Sequence, residues 1–347
     1  MAIPGGPEAI DAAWMADVLG QPVDEVTLTP LGVGVGLLSD LLVADVAGPG
    51  GRRRVVVKLA SSSPAARALA DGYRFYEREV AVYAVLAGAV GLGLPEVHLA
   101  EIDRHSASFA LVLEDLSGLR TADQLAGCTP EDAVRVVRDL ARHHAASWGA
   151  GPGELAGLDS FSSPPYPGFH ADAMAASWAA GRHGVLAGLA PRFLVLGDGW
   201  AETGPALMAR LGQRPATLTH GDLRLDNLFF PSTGPVVAVD WQLACPWPGA
   251  VDLACFAVMS LAVDVRRAIL DDLVTEYHAT LIASGVDGYG RDELDGDLAL
   301  AALFWFCSPI TVGGLDLATP RERDLAHALV ERTTAAIDDL CALDHLS

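Results

Sequence analysis

The residue pattern of the chain changes near residue 115, and this change limits the folds that it can adopt. Before it, β-type segments run from Val26 to about Leu59 and over 97–102 and 108–113, separated by glycine-rich turns. The Gly-Pro-Gly-Gly sequence at 48–51 predicts a hairpin between two of these strands. A helix is predicted over 64–87. The first 115 residues therefore predict an antiparallel sheet with one long helix.

From residue 116 onward the pattern is mostly helical. A helix is predicted over 129–149, because Thr129 can cap its N-terminus and Pro130 suits its first turn. A loop at 150–168, helices over 170–212, a short β segment at 217–240 and further helices complete the pattern. We therefore predict an α+β chain with two lobes. The first is small and β-rich at 1–115, and the second is larger and mostly helical at 116–347.

Composition narrows the functional class. Of the 347 residues, 51% are hydrophobic, which is enough for a large core and excludes wholesale disorder. The net charge of −21 argues against nucleic acid and against an anionic membrane as partners, because binding phosphate groups requires a basic face. Nothing in the sequence implies a protein partner. A small molecule is the partner that we expect.

The cysteines and the apolar segments bear on the compartment. The five cysteines are scattered without paired spacing, so neither a disulfide framework nor a zinc site is predicted. The first residues lack the basic and apolar regions of a signal peptide. The longest uncharged stretch, 298–315, is interpreted as a buried helix that ends near Pro309 rather than as a membrane span. These features predict a reducing, cytoplasmic compartment.

The strongest chemical signal lies at 218–242. Two short β segments here flank a Pro-Ser-Thr-Gly-Pro turn, and the resulting hairpin is expected to bring Asn227 and Asp240 to the same end. Amide and carboxylate oxygens side by side suit a hard divalent cation. Asp222 lies five residues before Asn227, on a loop that is predicted to enter the same place. A carboxylate there can accept a proton from a substrate hydroxyl.

The spacing of these residues matches the phosphoryl-transfer pattern, in which Asp is followed by Asn five positions later and by a second Asp after a hairpin. Asp222, Asn227 and Asp240 hold those positions. The alternative is that His220, Asp222 and Asp226 are turn and cap residues, since the segment is rich in turn formers. The hairpin and Asp240 favour the catalytic interpretation.

Phosphate-binding groups are predicted in the first lobe. Lys58 is the single lysine among 23 basic residues, and its compact ammonium at the end of a strand suits a phosphate contact. The alternative is that Lys58 was retained by chance and has no phosphate-binding role. Gly32, Gly34 and Gly36 would let the backbone approach phosphate oxygens, although a flexible hairpin is the default interpretation of these glycines taken alone.

Two further features complete the predicted nucleotide site. Glu77 and Glu79 follow Lys58 on the next helix, and either is able to hold its ammonium group. We favour Glu79, because aromatic residues surround it, while a solvated helix face is the alternative for both. The apolar strand at 109–113 leads into an extended linker, where the backbone of Glu114 and Leu116 is expected to bind adenine.

A resemblance to the aminoglycoside phosphotransferase superfamily of protein-kinase-like enzymes is carried by five segments: HGDLRLDN, VDWQ, VVVK, LVLEDLS and LARHHAASW. It covers roughly residues 25–260, and its first two motifs are highly specific, whereas the glycine-rich segment is loose. Gln242 and the LEDLSG segment resemble the ecdysteroid-kinase-like and choline-kinase-like branch more closely than the aminoglycoside enzymes.

The resemblance implies a bilobal kinase fold that uses ATP and Mg²⁺. The lobe at 1–115 would bind the nucleotide, and the lobe at 116–347 would carry the catalytic loop, 218–242, and the acceptor-binding helices. The resemblance implies that Asp222 is the catalytic base, that Asn227 and Asp240 bind the metal, and that Lys58 contacts the ATP phosphates.

It also implies structural roles near the catalytic loop. Asp252 resembles the aspartate that braces this loop in kinase-like folds. His143 or His144 resembles a helix histidine that packs close by, and we interpret both as structural, because a histidine on a buried helix face is usually a satisfied core residue.

We therefore expect ATP-dependent phosphorylation of a hydroxyl group on a small molecule. The acidic charge weakly favours a cationic acceptor, with plain solubility as the alternative explanation. A resistance enzyme acting on aminoglycosides or macrolides is the nearest alternative, and a regulatory, nucleotide-binding pseudokinase is the alternative of another class. A protein kinase is disfavoured, because Asp252 follows Asp240 by only twelve residues, too few for an activation loop.

Overall fold

The structure, a computed structural model, describes residues 3–31, 38–106, 108–151 and 153–346. The chain forms two compact units: Met1–Arg120 with Val237–Leu243, and Thr121–Val236 with Ala244–Ser347. This division differs from the predicted boundary after residue 115, because the chain returns to the first unit at 237–243. There the Ala238 N–H donates to the Gly93 carbonyl at 3.0 Å. Local sequence patterns do not report pairing between such distant segments.

The first unit is built on a five-stranded antiparallel sheet with the order β1-β2-β3-β5-β4. Its strands are β1 (Glu25–Pro30), β2 (Ser39–Gly48), β3 (Gly51–Ala60), β4 (Val97–Asp103) and β5 (Ser108–Glu114). A short helix, α1 (Ala12–Leu19), precedes the sheet. The predicted hairpin at 48–51 joins β2 to β3, with Gly48 opposite Gly51.

Alternation along β3 places Lys58 opposite the apolar core. Val55, Val57 and Leu59 are buried in a cluster that includes residues of β2, β5 and α1. Because successive side chains of a strand point to opposite faces, Lys58 projects from the other face of the sheet. In register it lies between Leu41 of β2 and Leu111 of β5.

The single helix predicted over 64–87 is discontinuous. It divides into α2 (Pro64–Gly72) and α3 (Phe75–Ala81), followed by a π-helical turn at Val82–Leu86 and a 3₁₀ turn at Ala87–Ala89. Arg74 interrupts it with a left-handed backbone, φ 57°, which ends the helical hydrogen-bond ladder. The interruption lets α3 bury its own face, whereas α2 remains mostly exposed.

The second unit is mainly helical. Its helices are α4 (Pro130–Ala145), α5 (Tyr166–Gly181), α6 (Pro191–Asp198), α7 (Trp200–Leu211), α8 (Ala250–Met259), α9 (Val263–Ala283), α10 (Arg291–Phe304), α11 (Cys307–Gly313) and α12 (Pro320–Asp339). Thr129 caps α4 by accepting from the Asp132 N–H at 3.2 Å. Every residue of α8 is buried, so this helix lies in the core of the unit. The sheet of the first unit and the helices of the second confirm the α+β prediction.

The apolar stretch at 298–315 is divided between two helices, whereas one helix ending near Pro309 was predicted. The helix α10 ends at Phe304, and Pro309 lies in the first turn of α11 rather than at a helix end. Proline is tolerated there because first-turn amides have no partner within the helix. By length and composition, the segment Arg291–Gly313 is apolar enough to cross a membrane, but 72% of its most apolar window is buried inside the protein, as in a core helix.

Candidate active site

Lys58 is held between two carboxylates in the first unit. Its Nζ atom lies 2.8 Å from Glu79 Oε1 and 2.7 Å from Asp240 Oδ1. The Lys58 side chain is 9% exposed, that of Glu79 1% and that of Asp240 29%. β3 positions the lysine, α3 the glutamate, and the returning segment 237–243 the aspartate. Three separate parts of the sequence therefore converge on one ammonium group.

The positive and negative charges of this cluster do not balance, because one ammonium group is shared by two carboxylates. Burial alone lowers the pKa of Lys58, but the charges of Asp240 and Glu79 outweigh burial and raise it, so the ammonium stays protonated. Burial raises the pKa of Glu79, the charge of Lys58 only partly reverses this, and the charge of Asp240 adds to it. The cluster therefore carries excess negative charge when all three groups are ionised.

The structure distinguishes the two candidate glutamates. Glu79 contacts Lys58, as described above. Glu77 instead accepts from Arg74 Nη2 at 2.7 Å and lies 3.2 Å from Arg104 Nε. Because Glu77 is two positions from Glu79 on α3, the two side chains leave the helix in different directions. Glu77 therefore belongs to an ion-pair network of its own.

Asp240 adopts an unusual backbone conformation. Its φ angle of 66° lies in the left-handed region, which costs free energy for a residue with a side chain. The next residue anchors the turn, because Trp241 is fully buried and its Nε1 donates to the Ala238 carbonyl at 3.1 Å. Non-glycine residues with this backbone often mark functional sites, where surrounding contacts hold the strain.

Tyr83 lies beside the same aspartate. Its hydroxyl is buried near the backbone of Asp240. Burial, with the charges of Glu79 and Asp240, raises the pKa of Tyr83 well above its usual value, so the phenol stays neutral. Tyr83 follows Glu79 by four positions, which places both side chains on one face of the helical segment.

The remaining nucleotide-site predictions have different outcomes. Gly32, Gly34 and Gly36 lie outside the described residues. Glu114 ends β5, and its N–H donates to the Glu96 carbonyl at 2.9 Å, so this donor is already used. Within the described part of the chain, no backbone carbonyl accepts a hydrogen bond from the Leu116 N–H. Adenine binding at Glu114 and Leu116 remains a prediction.

Asp222 lies on a loop of the second unit whose hydrogen bonds fix one of its two carboxylate oxygens. Oδ2 accepts from Arg224 Nε and from Asn227 Nδ2, each at 3.0 Å. Asn227 Nδ2 also donates to the Asp222 carbonyl at 2.8 Å. Among the described residues, Oδ1 of Asp222 accepts no hydrogen bond. The carboxylate is therefore anchored on one side and open on the other.

Asp252 holds the start of this loop from the buried helix α8. Its Oδ2 accepts the His220 N–H at 2.6 Å, and its Oδ1 accepts the Gly221 N–H at 2.8 Å. Gly221 has a φ of 82°, a conformation that glycine adopts without strain. Burial works to raise the pKa of Asp252, but the hydrogen bond and charge of His144 and the His220 N–H lower it overall. The aspartate is thus an ionised brace.

Two buried histidines of α4 lie near Asp252: His144 contacts it, and His143 is the preceding residue of the helix. His144 Nε2 is 3.2 Å from Asp252 Oδ2, and its Nδ1 is 2.7 Å from the Tyr277 hydroxyl. Since a carboxylate only accepts, Nε2 carries a proton. Burial, aided by the charge of His144, lowers the pKa of His143 to about 3, so His143 is neutral. The contacts of His144 fit the expected structural role.

A divalent cation fits the chemistry of the predicted ligands. Asn227 Nδ2 donates twice within its loop, so the amide oxygen, Oδ1, is the Asn227 atom that is able to bind a cation. Asp240 supplies carboxylate oxygen. In the described part of the chain no three His, Cys, Asp or Glu side chains form a metal-binding group. Two protein oxygens suit Mg²⁺, which keeps waters and shares substrate phosphates. That Asn227 and Asp240 meet remains a prediction, because they belong to different units.

Arg224 and Tyr277 were not predicted from the sequence, and Tyr83 was predicted only as one of the aromatic residues around Glu79. Arg224, beside Asp222, lies inside the catalytic-loop motif, where a cation two positions from the expected base is a recognisable signal. Tyr83 and Tyr277 act through contacts with distant residues. No local pattern separates these tyrosines from ordinary core aromatics.

Solved structures with similar folds were found. Choline kinase LicA from Streptococcus pneumoniae is 14% identical, with a TM-score of 0.53 over 94% of this chain and 96% of that chain. An ethanolamine kinase from Plasmodium vivax is 10% identical, with a TM-score of 0.53 over 91% and 81%. The GDP complex of wild-type aminoglycoside 2′-phosphotransferase-IIIa is 13% identical, with a TM-score of 0.50 over 90% and 93%. Identities this low show the fold alone, and that fold is the expected kinase-like one.

The family comparison goes further. No curated protein matches the chain. The family model described as the phosphotransferase enzyme family, APH, matches residues 43–294, which is well over half of the chain. The matched region contains Lys58 and Glu79 as well as the loop of Asp222 and Asn227. The chain therefore belongs to the APH phosphotransferase enzyme family, as its motifs predicted, and it is a phosphotransferase.

Proposed function

We propose that the protein transfers the γ-phosphate of ATP to a hydroxyl group of a small molecule, in a reaction that requires Mg²⁺. The observation that carries this proposal is the arrangement of Asp222. One of its oxygens is fixed by Arg224 and Asn227, and the other is open. A carboxylate held in this way can orient a hydroxyl group and accept its proton.

The proposed step is a single displacement. The acceptor oxygen forms a bond to the γ-phosphorus, the bond from that phosphorus to the ADP oxygen breaks, and the hydroxyl proton passes to Asp222 Oδ1. Lys58 would bind the nucleotide phosphates, with Glu79 keeping the ammonium in position. Asn227 and Asp240 would hold Mg²⁺, which supplies charge neutralisation on the phosphates. The Leu116 N–H would contact adenine.

We propose a cationic or amine-bearing acceptor. The similar structures named above are kinases of choline and ethanolamine and an aminoglycoside phosphotransferase. All three named substrates carry amino or ammonium groups. The net charge of −21 favours approach of such a molecule through long-range attraction. An antibiotic and a metabolic amine are both consistent with this charge.

The cytoplasm is the proposed compartment. The cysteines within the described residues are all free, and four of them are buried. Free thiols are typical of reducing compartments, where ATP is also abundant.

The test is a coupled assay of nucleoside diphosphate release with Mg²⁺ and either ATP or GTP. The acceptor panel would span choline-like amines, ethanolamine, aminoglycosides, macrolides and sugars. Asp222→Asn is the informative variant. Asp226→Asn is its matched control, because Asp226 is an exposed carboxylate of the same loop that also binds Arg224, at 2.8 Å.

The proposal expects acceptor-dependent diphosphate release that falls by about 10²-fold or more in Asp222→Asn and changes little in Asp226→Asn. Near-normal turnover in Asp222→Asn would refute the assigned base. Nucleotide binding without turnover across the whole panel would favour the pseudokinase alternative.

A further inference from the structure

The Lys58 cluster has a property that the proposed reaction does not use. One oxygen of the proposed metal ligand Asp240 is already paired with a cation of the protein itself. Its Oδ1 lies 2.7 Å from the Lys58 ammonium, which is as close as ion-pair partners come. The same ammonium lies 2.8 Å from Glu79. A single buried cation therefore bridges two carboxylates.

Burial makes this bridge electrostatically strong. The Lys58 and Glu79 side chains are 9% and 1% exposed, so water screens their charges little. A lysine side chain carries a positive charge at neutral pH. The left-handed backbone of Asp240 and the buried ring of Trp241 hold the aspartate in place. The position beside Asp240 is thus occupied by a fixed positive charge.

A free divalent ion would meet this charge at close range. Two like charges a few ångströms apart repel strongly near a protein interior, and a double charge doubles the effect. Of the Asp240 oxygens, Oδ1 is engaged by Lys58, whereas Oδ2 has a loose contact, 3.5 Å, with Gln242 Nε2. Nucleotide phosphates would bring several negative charges to Lys58, relieve this repulsion and supply metal ligands of their own.

We propose that Lys58 is a specificity-determining residue that makes the protein bind the divalent metal together with a nucleotide and exclude the free ion. This inference rests on the proposed function only in assigning Asp240 as a metal ligand. The ammonium acts as an internal counter-ion of Asp240 until nucleotide phosphates attract it.

The test measures binding of Mn²⁺ alone by electron paramagnetic resonance, with no nucleotide and no acceptor present. Lys58→Met removes the cation at similar length, and Lys58→Gln removes the charge but retains a hydrogen-bond donor. Lys58→Arg is the matched control that keeps a positive charge. Lys58→Gln combined with Asp240→Asn tests whether the new ion binds at Asp240. Circular dichroism checks that each variant is folded.

The expected result is that Lys58→Met and Lys58→Gln bind free Mn²⁺ more tightly than the native protein by about tenfold or more. The arginine variant should bind as weakly as the native protein, and the double variant should lose the gain. Equal Mn²⁺ affinity in native protein and in a folded charge-removing variant would overturn the inference, as would a gain that survives Asp240→Asn. If Lys58→Met does not fold, Lys58→Gln decides.

These outcomes are separate from the turnover assay. A protein that phosphorylates its acceptor and binds free Mn²⁺ equally well with and without Lys58 keeps the proposed function and refutes this inference. If Lys58→Gln gains Mn²⁺ binding but the native protein transfers no phosphate, this inference stands and the proposed function is refuted.

Discussion

Replacing Asp252 by Asn tests whether a buried carboxylate fixes the catalytic loop. The carboxylate is inaccessible to solvent and accepts two backbone N–H groups, from His220 at 2.6 Å and from Gly221 at 2.8 Å. His144 Nε2 is a third donor at 3.2 Å. Asparagine has nearly the same shape, but it carries one acceptor oxygen and no charge. Its amide group must therefore face at least one of these donors.

The magnitude follows from the bonds that change. A hydrogen bond to a charged group contributes about 1.5–3 kcal/mol, and a buried donor left without an acceptor costs about 1–3 kcal/mol. With one of the two backbone bonds lost and the other made neutral, Asp252→Asn should lower the free energy of unfolding by about 2–4 kcal/mol. Because Gly221 is directly followed by Asp222, turnover should fall as well.

Urea denaturation at neutral pH measures the loss of stability, and hydrogen exchange of a peptide that covers 217–225 locates it. The control is Asp271→Asn, which removes an 88% exposed carboxylate paired with Arg291 and should leave stability unchanged. If Asp252→Asn lowers the free energy of unfolding by less than about 1 kcal/mol and leaves exchange in that peptide unchanged, Asp252 does not hold the loop. Such a loss is too small for the hydrogen bonds from the His220 and Gly221 N–H groups.

Three further outcomes follow from the structure. If Arg224 acts by orienting Asp222, Arg224→Ala should lower kcat about tenfold with little change in KM for ATP. The same substitution should have almost no further effect on kcat when Asp222 is already replaced by Asn. An equal decrease in kcat with and without Asp222→Asn would contradict this role. Burial lowers the pKa of His143 from 6.5 to about 3, so the unfolded chain binds a proton first. Between pH 6.5 and about 3 the free energy of unfolding should therefore decrease with falling pH, by up to about 1.4 kcal/mol per pH unit. Urea denaturation at several pH values should show a smaller decrease in His143→Gln. Gly249→Ala would place a methyl group 2.6 Å from His144 Nδ1, so thermal or urea unfolding should show a loss of about 1–3 kcal/mol; unchanged stability would mean that the site is not tightly packed.

Much of the sheet could be predicted from local pattern, because its strands are apolar runs bounded by turn-forming residues. The start of α4 was equally clear, since Thr129 and Pro130 act within their own turn. The phosphoryl-transfer motif was visible for a similar reason. Asp222 and Asn227 are hydrogen-bonded to each other, so their spacing is a local requirement of the loop.

Features that depend on distant contacts were not predictable. The break at Arg74 depends on which face of α3 is buried, and the return of 237–243 to the first unit depends on Gly93. The left-handed backbone of Asp240 is held by tertiary contacts rather than by its own residue type, which disfavours it. The choice between Glu77 and Glu79 was open for the same reason, since only the direction from which α3 meets Lys58 decides it.

Transfer of the γ-phosphate to an acceptor is tested most directly by following the phosphate group. ATP labelled on the γ-phosphate would be incubated with Mg²⁺, the native protein and the amine-bearing acceptors, and the products would be identified by mass spectrometry. We expect labelled phosphate on a hydroxyl oxygen of one acceptor, formed by the native protein and by Asp226→Asn but not by Asp222→Asn. Label found only in inorganic phosphate, or transferred equally by Asp222→Asn, would contradict this expectation.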